Sequence, residues 1–328
     1  MRIRAIFTVI AIGFILSPLA KCPKTGNAII KIEEGDNLNI ISRKLKEAEI
    51  IQDRLGFKLM VVVFKKSTSL SYGWYKFNIY ETPKDILKSL IKGRRLTVKV
   101  TIPEGLKVNE TIYAFRRHKD ADINISKLKI LTADTSFIKK LGINQPSLEG
   151  YLFPDTYIFY KGENPENVIK KMVSNLFTII KPSQNFKIRN MIFSTHEILT
   201  IASMIEREAM IDREKPIIAS VIYNRLEKNM PLQIDATVLY ALGTYKKTVT
   251  YKDLRVESPY NTYRNRGLPP GPIASPGFQC IMAALHPAKT DYLFYVATGK
   301  GDHRFSKEHE KHIEAKNKYK DYKNSIKN

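Results

Sequence analysis

The sequence predicts an α+β chain made of an N-terminal apolar segment, a small βααβ module and a larger mixed α+β module. Three observations carry that reading. Residues Ala5 to Ala20 form an uninterrupted apolar or small run behind Arg2 and Arg4. Between residues 28 and 80, two β-type runs bracket two stretches with apolar residues at helical spacing. Beyond residue 147, helical periodicity alternates with short strands and long loops.

As a helix, the 16 residues from Ala5 to Ala20 reach about 24 Å, slightly short of a hydrocarbon core of roughly 30 Å. That length also fits the apolar part of a cleaved signal peptide. Arg2 and Arg4 favour a cytoplasmic N-terminus, with Lys21 and Lys24 on the far side weakening the asymmetry. Either reading exports the rest of the chain. Cys22 and Cys280 are the two cysteines. Lys21 stands where a lipoprotein signal needs a small residue, so Cys22 is not read as lipidated. Two thiols so far apart build no metal cluster.

Ala28 to Ile32 reads as a strand, Glu33 to Asp36 as a turn, and Asn37 to Ala48 as a helix with Leu38, Ile41, Leu45 and Ala48 on one face. A second helix is expected from Arg54 to Phe64 and a closing strand from Gly73 to Phe77. Pro83 to Ile91 is a short helix ending at Gly93, and Leu96 to Ile102 a strand entering Pro103-Glu104-Gly105. That turn echoes Ile32-Glu33-Glu34-Gly35. Ser126 to Leu141 is expected as one helix, followed by helices over 164–177, 194–210 and 214–228. Tyr292 to Val296 has the apolar content of a buried strand, and the Lys- and Glu-rich tail from Lys307 that of a solvated helix.

Composition is ordinary for a globular protein, at 43% hydrophobic and 10% aromatic residues, but the formal charge is +22. The excess is scattered and accompanies no nucleic-acid motif, and the export segment argues against a nucleic-acid partner. Diffuse lysine instead suits solubility and attraction to anionic lipid or wall polymer.

Ser194 to Ala209 is the most informative stretch. Ser194 and Glu197 have capping-box spacing, and Ile198, Ile201, Ala202, Ile205 and Ala209 define a buried face. At roughly 100° per residue, Glu206 and Glu208 flank that face about 80° to either side, while Arg207 points to solvent. A carboxyl at the edge of an apolar face is partly desolvated, which raises its pKa and suits it to general acid work. Spacing alone fits a solvated Glu-Arg-Glu turn as well. The surrounding words decide between them: Leu148-Glu149-Gly150-Tyr151-Leu152-Phe153-Pro154-Asp155-Thr156-Tyr157, Asn224-Arg225-Leu226, Leu232-Gln233-Ile234-Asp235-Ala236-Thr237, Ser258-Pro259-Tyr260-Asn261-Thr262-Tyr263, Gly267-Leu268-Pro269-Pro270-Gly271-Pro272-Ile273 and Ala284-Leu285-His286-Pro287-Ala288-Lys289-Thr290. In these the chain resembles the endolytic murein transglycosylases of the MltG (YceG-like) family, over most of residues 29 to 312.

The resemblance implies an uncleaved single-pass anchor at residues 1–22 in the cytoplasmic (inner) membrane with the rest outside, and a LysM-like module at 28–80. A linking segment at 81–146, a catalytic module at 147–312 and a basic tail at 313–328 follow. It implies cleavage of peptidoglycan glycan strands between N-acetylmuramic acid and N-acetylglucosamine, without cofactor or metal, and cell-wall synthases as candidate partners. It places the catalytic acid at the first Glu of Glu-x-Glu, Glu206. In such chemistry the muramic acid's own 6-hydroxyl closes a 1,6-anhydro ring, so one glutamate gives a proton and takes one back, whereas ordinary glycosidases need two carboxyls.

Glu208 is read as structural or as a helper anchoring Arg213 or Arg225. Asp235 either orients substrate or caps the following helix. Gln233 shares its word. Tyr260, Asn261, Thr262 and Tyr263 offer rings for stacking and polar groups for N-acetyl contacts, or else form a turn after Pro259. Glu149 is the member of its word to test as a substrate contact. The Pro269–Pro272 stretch is a stiff wall. His303, His309 and His312 lack metal-ligand spacing, and Lys311 replaces the Glu that the family shows before its histidine. The rival readings are a water-using muramidase and a wall-binding scaffold without activity.

Overall fold

The computed structural model describes residues 26–66, 69–78, 80–244, 246 and 248–325. The expected anchor at residues 1–22 and Cys22 lie outside them. Among the described residues no helix is long and apolar enough to cross a membrane. The chain is mixed α+β, every sheet among the described residues is two-stranded, and the chain divides into two units.

The first unit holds the described residues to Val100 together with His118–Ile123 and Ile158–Glu163. Strand β1 (Asn27–Ile32), helices α1 (Leu38–Glu47) and α2 (Arg54–Val63), and strand β2 (Gly73–Asn78) follow in the expected order. β1 and β2 pair antiparallel, with Ile30 opposite Tyr75. Each helix starts at a side-chain cap: Asn37 accepts from the Ile40 amide and Asp53 from the Leu55 amide. Helix α3 (Pro83–Ile91) begins with proline behind a Thr82 cap. Its Ile86, Leu87 and Leu90 join Ile32, Ile41, Leu45, Phe57, Val61, Tyr75 and Phe77 in one core. That core therefore continues past residue 80. His118–Ile123 is held to it by the Trp74 indole N–H, which donates to Asp122.

The second unit comprises Thr101–Arg117, Asn124–Tyr157 and the chain from Asn164 onward. Strand β3 (Thr97–Thr101) runs through Pro103-Glu104-Gly105 into helix α4 (Val108–Arg117). The echo seen in the sequence is a shared geometry: Gly35 and Gly105 both sit at positive φ, +88° and +74°, between a strand and a helix. The single helix expected over 126–141 is two, α5 (Ile125–Leu131) and α6 (Thr135–Lys140). Asp134 makes the break, because its carboxylate accepts from the Ser136 and Phe137 amides and starts a new helix there.

Strand β4 (Thr156–Tyr160) pairs with β3. Helix α7 (Pro165–Ile179) and the hairpin of β5 (Asn185–Ile188) and β6 (Met191–Ser194) lead into helix α8 (Thr195–Glu208). The capping box forms as read, with the Ser194 amide donating to Glu197 at 2.7 Å. Ile198, Ile201, Ala202 and Ile205 are buried, and so are Leu199 and Met204, so α8 is surrounded on most sides. Its neighbours are α9 (Lys215–Glu227), α10 (Asp235–Leu242) and α11 (Phe278–Leu285). β7 (Phe294–Ala297) and β8 (His303–Ser306) pair antiparallel. Every residue of β7 is only half-buried, unlike the fully buried strand its composition suggests. Helix α12 (His309–Ser325) buries Ala315 alone.

Candidate active site at the end of α8

Helix α8 ends with Glu206 and Glu208 half-buried and Arg207 exposed, as the helical wheel requires. What the sequence did not reveal is the strand of chain beside it. Residues 270–277 track α8 from its first turn to its last. The His196 Nε2–H donates to the Pro270 carbonyl at 3.0 Å, the Ile273 amide donates to Ser203 Oγ at 3.0 Å, and the Gly277 amide donates to Glu206 Oε2 at 2.9 Å. Residues 271–277 are buried throughout, so the Pro-rich stretch is a buried strap more than an open wall. Pro272 lies where a Cβ on Gly150 would fall, 2.4 Å away, which ties the Glu149 word to the same strap.

Gly277 is also the N-cap of α11, and has no side chain with which to cap it. Its bare Cα accommodates a second carboxylate, since a Cβ built there would lie 2.0 Å from Glu104 Oε1. Glu104 and Glu206 thus share one glycine. Burial, and next the Glu206 charge, push the Glu104 carboxyl above its ordinary range. The Cys280 thiol, buried and hydrogen-bonded to Glu206, is pushed up by desolvation first and by that same charge. Burial works against the Lys215 ammonium, but Asp212 at 2.7 Å and the Cys280 and Glu206 charges outweigh it and hold the proton on. A neighbouring carboxyl, a buried thiol and a buried ammonium thus surround one half-buried glutamate.

Glu208 has different company. It accepts from the Tyr295 hydroxyl at 3.2 Å and from the Ala236 amide in the first turn of α10. Desolvation, then the Asp235 charge, push its carboxyl up to about 7. It binds neither Arg213 nor Arg225. The Arg225 guanidinium instead donates to the carbonyls of Leu293, Pro231 and Leu232, pinning the Gln233 loop. Asp235 does not cap α10: the N-cap is Ile234, Asp235 is the first helical residue, and its carboxylate accepts from the Tyr263 hydroxyl at 2.5 Å.

Gln233 and Asp235 are exposed, and Tyr260 and Tyr263 half-buried. Asn261 and Thr262 are buried at 0% and 1% exposure. Asn261 donates to the Leu254 and Val256 carbonyls, and Thr262 accepts from the Ile234 amide. Both hold the loop that presents the two tyrosines. Glu149 accepts from the Val108 amide at the start of α4 and from the Tyr240 hydroxyl, and Tyr240 packs on Tyr260 at 4.8 Å. Desolvation pushes the Glu149 carboxyl up to about 7. His303 is clasped by buried Glu214, which accepts both its backbone amide and its Nδ1–H. His309 and His312 pack on Phe294.

A cavity of about 610 Å³ opens at the other end of α8, lined by His196, Glu197, Thr200 and Pro270 among others. Ten residues of helix separate His196 from Glu206, roughly 15 Å. Its one carboxylate, Glu197, is committed to the capping box, so the cavity holds no free acid.

A half-buried helical glutamate beside a second carboxyl is the equipment of an acid–base site. Tyr260 lies instead beside Gly271 and His196, at the other end of α8, and Tyr263 bonds Asp235 on the Glu208 side. The chain belongs to the YceG-like family, whose family model matches residues 30–318. It is 38% identical over 94% of its length to an endolytic murein transglycosylase of Bacillus subtilis, covering 89% of that protein. It is 30% identical over 82% of its length to one of Streptococcus pneumoniae, of which it spans about half (54%). A crystal structure of a YceG-like protein from Listeria monocytogenes shares the fold with a TM-score of 0.55 and 34% identity, over 89% of this chain and 99% of that one.

Sequence reasoning missed Glu104 and the seals around Glu208. The Glu104–Gly277 approach joins positions 173 residues apart. The recurring strand–turn–Glu-Gly word was the one available signal.

Proposed function

We propose that this protein is a peptidoglycan lytic transglycosylase acting within glycan strands, with Glu206 as its acid and base. The observation that carries the reading is Glu206 at the end of a buried helix, fixed by the Gly277 amide beside Glu104. Three relatives bearing the name endolytic murein transglycosylase support it. Glu206 in its acid form protonates the glycosidic oxygen between N-acetylmuramic acid and N-acetylglucosamine, and the C1–O bond breaks. The muramic acid 6-hydroxyl then bonds to C1, and its proton passes to the Glu206 carboxylate, regenerating the acid. No water is consumed, and the product carries a 1,6-anhydro end. Such cuts in nascent strands limit their elongation.

Tyr260 and Tyr263 supply faces for sugar rings, and Gln233 and Asp235 polar contacts, over the support that Asn261, Thr262 and Glu149 provide. Residues 1–22 anchor the chain in the cytoplasmic membrane with the catalytic part outside. The βααβ order of residues 28–80 is that of a LysM-like module, and cell-wall synthases are the expected partners.

The test is digestion of purified glycan strands by the detergent-solubilised chain, with fragments weighed. Ends lighter by one water than hydrolytic ends are expected. Hydrolytic masses would make it a muramidase. Sedimentation with wall sacculi without release of fragments would make it a scaffold.

A further inference from the structure

Helix α2 is apolar on the side turned away from its core. Phe57 and Val61 are its buried residues. At roughly 100° per residue, Leu59 projects about 180° from their mean direction, with Leu55, Val62 and Val63 to either side of it. These four are 69%, 66%, 56% and 61% exposed for Leu55, Leu59, Val62 and Val63, and Phe64 at the C-cap is 46% exposed. An ordinary surface helix turns charge outward, and a helix apolar all round is covered by something. The charges present are basic. Arg54 and Lys58 are the only charged residues within the helix, and exposed Lys65 and Lys66 follow it.

The chain itself points to the cover. The apolar run Ala5–Ala20 is separated from β1 by six residues, 21–26, which span at most about 20 Å when fully extended. β1 and α2 share one core. With that run in a bilayer, the unit carrying α2 is held beside the lipid surface. Arg54 turns back to Ser42 and Asn39 of α1, but an apolar face with Lys58, Lys65 and Lys66 around it matches the boundary between headgroups and acyl chains, and matches anionic lipid in charge. We propose that α2 is a second membrane contact, lying in the interface with Leu55, Leu59, Val62 and Val63 toward the acyl chains. The proposal rests on reading residues 1–22 as an anchor.

The test uses the full chain reconstituted in vesicles of phosphatidylcholine and phosphatidylglycerol, with or without bromine on the acyl chains. Leu59→Trp places a reporter on the face, and Lys76→Trp places one on exposed β2; the signal of native Trp74 is subtracted as the parent. Emission from the Leu59→Trp reporter is expected to fall about twofold in brominated vesicles, as for a face seated roughly 5–10 Å into the boundary, with the Lys76→Trp reporter unchanged. Flotation with the vesicles is read in parallel. A chain that floats with neither reporter quenched keeps its anchor and overturns the contact. So does equal quenching of both, and so does a reporter shielded from water yet insensitive to bromine, which would mean a protein covers the face. A chain that does not float overturns the anchor and the contact with it.

Discussion

Glu206 and Glu208 stand two residues apart on one helix and perform the same architectural task. Each accepts a backbone amide at the start of a helix that no side chain of its own caps: Gly277 for α11, Ala236 for α10. Their surroundings separate them. Glu206 shares a glycine with Glu104 and feels Lys215 and Cys280. Glu208 lies under Tyr295, with Asp235 and Tyr263 beyond it. Capping therefore explains why both residues are carboxylates, and only the neighbours say which one works on a substrate. Glu206 is the one assigned the proton; Glu208 holds α8, α10 and β7 together.

The largest effect tests that division. Glu206→Gln should lower the rate of strand cleavage by about 10²–10⁴, the usual loss for general acid–base catalysis. The melting temperature should stay near the parent's, because a Gln oxygen still accepts the Gly277 amide. Rate assays paired with thermal melts check this.

Glu208→Gln should show itself in stability. Desolvation, then the Asp235 charge, push the folded Glu208 carboxyl up to about 7, from about 4.5 for a free glutamate side chain. Between those pH values the folded state keeps a proton that the unfolded state has lost, so stability falls as pH rises through this window. The loss, complete above pH 7, is about 3 kcal/mol for a shift of this size. Gln does not titrate. Urea melts should therefore show Glu208→Gln gaining on the parent steadily from pH 4.5 to 7, and a pH-independent difference would dissolve the contrast.

Glu104→Gln comes next. Glu104 is held above its ordinary range by burial and by the Glu206 charge, so replacing it with a group that does not titrate should alter the pH–rate profile. A profile that does not move would show that the two carboxyls do not communicate. Tyr295→Phe is the mildest: it deletes one hydrogen bond to Glu208, which should cost about 1 kcal/mol in a urea melt and leave the rate at the parent's level.

Where local chemistry dictates structure, the sequence was readable. The Ser194–Glu197 capping box, the Thr82-Pro83 start of α3 and the positive-φ Gly105 turn each depend on residues within a few positions. The break at Asp134 was as local, but the apolar spacing of 126–141 runs across it and hid the cap. The candidate site was legible as Glu206 and, separately, a loop rich in tyrosine. Its supports were not. Nothing in the spacing of Asn261 and Thr262 tells that their polar groups turn inward to carbonyls and amides of the loop. Nor does Pro269–Pro272 announce a strap along α8, because that path is fixed by three hydrogen bonds to residues at least 70 positions away.

The most direct measurement is the rate at which anhydro ends form on purified glycan strands, compared among the parent, Glu206→Gln and Glu208→Gln at pH 6, all three confirmed folded. The division of roles predicts product formed about 10²–10⁴ more slowly by Glu206→Gln and within a few-fold of the parent by Glu208→Gln. Product from Glu206→Gln at the parent's rate, or its loss in Glu208→Gln alone, would contradict it.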